Sequence, residues 1–326
     1  MSAQIACVGE TMLLLTAADP TPLDRGPLLT MGVAGAESNV ASGLAALGHR
    51  AAWISAVGDD PFGRLITRTL REGGVDVTGV RVDQDRPTGV FAKDPSPAGS
   101  TVHYYRTGSA ASALGPELVG DPRVRAAGRV HLSGVTPALS PACDALAQGL
   151  LEAPGLTVSF DVNHRPRLWG PNEAAPRLLA LARLADTVFV GRDEAEELWG
   201  TSTDHDVRAL LPDVERLVVK DAEHGASEFH GDTRVYVPAP TVEVVEPVGA
   251  GDAFAAGYLA GDLRGLDGRG RLRLGHLCAG RVLRVTGDLA DPPPPHEVDA
   301  LVAVADEHWP VQASAAVAAV RGDNSE

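Results

Sequence analysis

The sequence predicts an α/β fold: a doubly wound, mostly parallel central sheet flanked by helices, with a small β-sheet lid. Three observations predict it. Short aliphatic runs bounded by turn residues alternate with Ala- and Leu-rich stretches of helical period, which is the pattern of repeated strand-helix units. The composition is 44% hydrophobic but only 4% aromatic, as expected where parallel strands are covered by helices on both faces. Residues 88–106 break the alternation with two extended runs around Pro95-Ser96-Pro97-Ala98-Gly99, a hairpin-like insertion.

In chain order, 5–8 reads as a buried strand ending at Gly9, 37–47 as a helix stopped by Gly48, and 51–57 as a second strand. Residues 62–72 form a helix closed by Gly73-Gly74, and 75–82 are extended. The Pro- and Gly-rich segment 19–31 joins the hairpin in the lid, whose segments are 11–34 and 86–108. Compact apolar strands follow at 130–132, 157–161, 187–190 and 217–220, then an extended pair over 235–245 and a helix of small residues over 253–263. Pro292 to Pro295 break the chain before a last helix near 298–307. One continuous α/β core over 1–310 suits the length of 326 residues, and 311–326 reads as a flexible tail.

A formal net charge of −15 argues against a nucleic-acid partner, because phosphate backbones are bound by clustered Lys and Arg. An anionic substrate would need a local basic pocket. Cys7, Cys143 and Cys278 are too few and too scattered for a disulfide framework or a zinc site. With no basic-then-apolar leader and no long apolar run, the expected location is the cytoplasm, with no membrane partner. Lys93 and Lys220 are the only lysines.

The chemistry-bearing motif is Pro247-Val248-Gly249-Ala250-Gly251-Asp252. Two glycines around an alanine let backbone amides point into one concavity, and the helix that follows adds its positive end, so phosphate oxygens would be held there. Asp252 has two readings: a helix N-cap, or a general base beside the anion cradle. Neither the dinucleotide nor the P-loop fingerprint is present, which disfavours an NAD-dependent oxidoreductase. A second motif, Gly35-Ala36-Glu37-Ser38-Asn39, opens the first helix with a glycine and an amide one turn in.

In kind and order these two motifs resemble the signatures of the PfkB (ribokinase-like) carbohydrate kinases, and the likeness runs from Gly9-Glu10 to Gly287-Asp288. It implies a ribokinase-like sheet with a β lid, and transfer of the γ-phosphate of ATP to a sugar hydroxyl with Mg²⁺. It further implies Asp252 as base, an anion hole from Gly249, Ala250 and Gly251, a sugar site lined by Gly35 and Asn39, and a homodimer through the lid sheets.

Within the family the likeness is strongest to kinases of sugar acids, and it implies phosphorylation of 2-keto-3-deoxygluconate at its terminal hydroxyl. Tyr104 and Arg106, two apart in a strand, share a face; a guanidinium beside a phenol suits a carboxylate, and a solvated edge arginine is the plainer reading. Asn163 and Arg165 follow a buried strand, where α/β ligands gather; the resemblance places Asn163 at the nucleotide, Arg165 between sugar acid and phosphates, and Asp288 on a substrate hydroxyl. No Asp lies in Glu10-Thr11-Met12-Leu13-Leu14-Leu15, where kinases of neutral sugars carry one, and Phe91 stands where a Tyr is usual. On the nucleotide side the resemblance assigns Glu194 to Mg²⁺ through water, though Gly191 replaces the usual Asn, and Lys220 and Gly225 to ATP. The rivals are a family kinase of fructose, a ribose-type sugar or a nucleoside, and a non-catalytic sugar sensor on the same fold.

Overall fold

The computed structural model describes residues 2–96, 99–170 and 172–319; Pro97 and Ala98 of the expected hairpin turn, and the expected tail beyond 319, lie outside them. The strands in chain order are β1 (Ile5–Val8), β2 (Met12–Ala17), β3 (Leu29–Ala34), β4 (Ala51–Ile54), β5 (Ala56–Gly58), β6 (Arg81–Asp83), β7 (Val90–Ser96) and β8 (Gly99–Tyr105). After them come β9 (Arg129–Ser133), β10 (Thr157–Asp161), β11 (Thr187–Gly191), β12 (Arg216–Asp221), β13 (Gly225–His230) and β14 (Thr233–Pro238). The central sheet has eight strands in the order β14-β13-β12-β11-β10-β9-β1-β4. From β4 to β12 every pairing is parallel, and β13 and β14 add an antiparallel edge.

The helices are α1 (Ala36–Ala46), α2 (Pro61–Glu72), α3 (Pro122–Ala127), α4 (Pro141–Leu151), α5 (Ala174–Ala182), α6 (Arg192–Trp199), α7 (Asp204–Leu210), α8 (Ala250–Leu263), α9 (Gly268–Val282), α10 (Pro295–Val302) and α11 (Trp309–Ala318). Because successive strand residues point to opposite faces, β1 sends Ala6 and Val8 into a core with Leu146 of α4 and Leu178 of α5, and Ile5 and Cys7 into one with Leu44 of α1 and Phe254 of α8. Both faces are covered, so the strand is apolar throughout. This is the doubly wound, mostly parallel sheet the sequence predicts. The lid is a separate four-stranded sheet, β3-β2-β7-β8.

Three expectations are corrected. The run 51–57 is two strands, since β5 leaves the central sheet to pair with β6. The extended pair over 235–245 is instead β13 with β14, joined at Gly231-Asp232. β13 escapes a hydrophobic reading because buried Glu228 sits in it, satisfied by Tyr258 of α8 and Arg271 of α9. The last helix is not near 298–307: α10 ends at Val302, and the segment read as a loose tail carries α11. Trp309 anchors α11 at 1% exposure, donating its indole N–H to the Pro238 carbonyl (2.9 Å) with the Arg273 guanidinium over its ring. No helix among the described residues is long and apolar enough to cross a membrane.

Removing so buried an indole leaves a cavity and an unpaired carbonyl. Trp309→Ala should therefore destabilise the fold by about 3–5 kcal/mol, read as a lower urea midpoint at unchanged slope. A free tail would show no change.

Candidate active site

The site lies at the carboxyl ends of the parallel strands, under the lid. Its floor is the start of α8. Gly249 is the N-cap, with φ 86°, and a Cβ there would stand 2.7 Å from the Asp288 carbonyl oxygen. Left-handed backbone and close approach both require glycine. No side chain caps α8; the Ala250 N–H reaches the Pro247 carbonyl at 3.4 Å, and the N–H groups of Gly251 and Asp252 remain available to an anion. Asp252 sits at the third helical position and is not the cap, which removes the plainer of its two readings.

The Asp252 carboxylate accepts a hydrogen bond from Asn39 Nδ2 at 2.8 Å and has Asn163 Nδ2 at 3.5 Å. Asn163 holds a positive φ of 40°, an uncommon conformation for a non-glycine, which turns its amide toward Asp252. Burial pushes Asp252 up to about 7, against the Asn39 hydrogen bond; the Asp161 carboxylate adds to the rise, while Arg165 and Lys220 oppose it. A carboxylate with that value beside an anion cradle can take a proton near neutrality.

Beneath the cradle, Lys220 Nζ lies 2.9 Å from Asp161 Oδ2 and 3.5 Å from where a Cβ on Gly251 would stand. Burial works against the ammonium, but Asp161 and Glu194 more than offset it and hold its pKa above the ordinary value. Asp161 Oδ1 is buried without a hydrogen-bond partner. Glu194 accepts from the backbone N–H of His164 and of Gly191, and burial followed by Asp161 raises its pKa. Among the described residues no group of three His, Cys, Asp or Glu could hold a metal ion.

Gly35 caps α1, and a Cβ there would lie 2.3 Å from the Glu10 carbonyl oxygen. On the lid, Phe91 stacks on Tyr104 with ring centroids 5.6 Å apart, and the Arg106 guanidinium lies 5.8 Å from the Tyr104 ring. Tyr104 and Arg106 therefore share a face, as their spacing predicts. Arg106 is nonetheless not a free cation. It is ion-paired with the buried Glu10, whose other oxygen accepts from the Ser109 hydroxyl.

Arg165 is exposed at the mouth, its guanidinium 3.3 Å from the His164 carbonyl. Asp288 is buried against Gly249. Gly225 pairs with Asp221, next to Lys220; at φ 151°, a Cβ would meet the Val237 carbonyl oxygen at 2.4 Å, so pairing of β13 with β14 demands glycine there. Sequence reasoning missed Glu10, Asp161 and Lys93 as site residues. A carboxylate two residues after β1 was the available signal for Glu10.

An uncapped helix end beside a carboxylate near neutrality, closed over by a small sheet, fits a phosphotransferase with an alcohol acceptor. The model of the pfkB family of carbohydrate kinases matches residues 2–294, and the chain belongs to that family as an ATP-dependent carbohydrate kinase. It is 36% identical to 2-dehydro-3-deoxygluconokinase of Thermoproteus tenax, over 91% of this chain and 94% of the relative. It is also 36% identical to the 2-dehydro-3-deoxygluconokinase of Bacillus subtilis (strain 168), over 86% and 90% respectively. The crystal structure of a PfkB protein from Polaromonas sp. JS666 superposes with a TM-score of 0.82 at 32% identity, covering 92% of this chain and all of the other.

A raised carboxylate pKa carries a stability signature. Between the unfolded value near 4 and the folded value of about 7, the folded state holds the extra proton, so stability falls as pH rises through that window. Asp252→Asn lacks this slope. Urea melts at pH 5 and pH 8 should show the variant gaining on the wild type at pH 8; an unchanged gap would contradict the raised value.

Proposed function

We propose that the chain phosphorylates the terminal hydroxyl of 2-keto-3-deoxygluconate, also called 2-dehydro-3-deoxygluconate, giving the 6-phosphate and ADP. The observation that carries this reading is Asp252, raised to about 7 and held by Asn39 at the uncapped start of α8. Asp252 accepts the hydroxyl proton, the freed oxygen attacks the γ-phosphorus, and the bond to the ADP oxygen breaks. The amides of Gly249, Ala250, Gly251 and Asp252, with Lys220 below them, stabilise the charge that develops. Bound with ATP, Mg²⁺ would neutralise phosphate charge. Glu194, each of whose oxygens accepts one backbone amide and keeps a second lone pair, would hold the ion's water, with the partnerless Asp161 Oδ1 as a second acceptor.

Arg165 and Arg106 supply the cations for the substrate carboxylate, beside Tyr104, Phe91 and Gly35, while Asn163 meets the nucleotide and Asp288 a sugar hydroxyl. Support for an acidic substrate comes from the two 2-dehydro-3-deoxygluconokinase relatives. One observation favours a second reading, a neutral sugar: the Glu10 carboxylate already offsets the charge of Arg106. The relatives include a fructokinase of Escherichia coli, 33% identical over 80% of this chain and 85% of its own. A second copy of the chain would suit the lid's exposed apolar side chains Leu29, Met31 and Tyr105.

Turnover of Asp252→Asn should fall by about 10² to 10⁴ with the KM for ATP held within about twofold, and wild-type kcat should decline below pH 7. Arg106→Ala should cost at least about tenfold more kcat/KM on 2-keto-3-deoxygluconate than on fructose, one carboxylate contact being worth about 1.5 to 3 kcal/mol. Equal losses on the two sugars would favour the neutral-sugar reading.

A further inference from the structure

Lys93 lies in β7 of the lid, yet its ammonium is neither on the lid surface nor paired within the lid. Residues 91 and 93 share the face that Met12, Leu14 and Val102 line, and the Lys93 side chain is only 6% exposed. Its Nζ crosses to the base of the molecule, 3.4 Å from Glu246 Oε2 and 3.6 Å from Asp288 Oδ1. These carboxylates lie on two separate base segments, one just before the glycine loop and one after α9. Asp288 in turn packs its backbone against Gly249, the first residue of the loop.

We propose that Lys93 is a positioning residue that draws the lid onto Asp288 and Glu246, so that closing over the sugar and ordering of the glycine loop occur together. The proposal rests on the kinase reading above. A buried cation needs partners, and Lys93 finds both across the lid-base boundary. Drawn away, it would leave two carboxylates facing each other across a shared space. At 3.6 Å the contact with Asp288 is longer than a hydrogen bond, and Asp288 Oδ1 has no other partner. That oxygen therefore keeps the capacity to accept a substrate hydroxyl. Desolvation and attraction nearly cancel in such pairs, which makes the latch reversible: one hydroxyl donated to Asp288 suffices to favour the closed form.

The test compares steady-state kinetics of the full chain, with the best sugar the wild type accepts, in Lys93→Met, Lys93→Arg and Glu246→Gln. Lys93→Met keeps the alkyl stem and should raise the KM for sugar at least tenfold and lower kcat, since the glycine loop orders with closing, while the KM for ATP stays within twofold; Lys93→Arg should restore most of the loss. Glu246→Gln, nearer the rim, should move sugar KM the same way by a few fold and keeps the test open should Lys93→Met not fold. In an Asp288→Asn background, Lys93→Met should add little. A Lys93→Met protein with wild-type sugar KM would overturn the proposal, as would equal losses for sugar and ATP that arginine does not rescue. If the wild type phosphorylates no sugar, the kinase reading itself fails, a result distinct from either.

Discussion

The position of α8 is the constraint on which the site depends, and backbone contact sets it. A Cβ on Gly257 would stand 2.5 Å from the Leu274 carbonyl of α9, one on Gly275 would meet the Phe254 ring at 3.1 Å, and one on Gly43 would meet Ala256 at 2.7 Å. Side chains cannot be added at these crossings without driving the helices apart. The small residues of α8 thus fix its distance from α1 and α9, and with it the gap between Asn39 and Asp252. Gly249 against Asp288 fixes the same helix at its start. The geometry of the candidate site follows from close packing that involves no polar side chain.

The buried cations of the site are each paired within the protein. Lys220 faces Asp161, Arg106 faces Glu10, and Lys93 faces Glu246 and Asp288; Arg165 is the cation left in solvent. Buried ions of one sign would be too costly to keep, and the pairs hold each charge in a fixed direction. Asp252 has neutral side-chain amides as its immediate partners, as Glu194 has backbone amides. The raised pKa of Asp252 follows from burial, which outweighs the Asn39 hydrogen bond.

Much of this was legible in the sequence. Strand-helix alternation revealed the sheet because both of its faces are apolar, and Gly249-Ala250-Gly251-Asp252 pointed to the cradle because backbone geometry leaves a local signature. What was not legible depends on pairing between distant segments. Glu10 looks like any acid after a strand until Arg106 arrives from 96 residues away, and Lys93 looks like an edge lysine until the lid folds onto Glu246, 153 residues on. β13 and α11 were hidden for a related reason: Glu228 and Trp309 find partners only in the finished fold, in Arg271 and in the Pro238 carbonyl.

The two lysines have a further consequence for the chain as a chemical object. Every other basic side chain is arginine or histidine, Lys93 is 5% exposed, and the Lys220 side chain is 20% exposed against Asp161. The folded surface offers acylating reagents no open lysine amine. Acylation read at Lys93 and Lys220 would thus report on the site's own opening, where lysine labelling of most proteins reports on the outer surface.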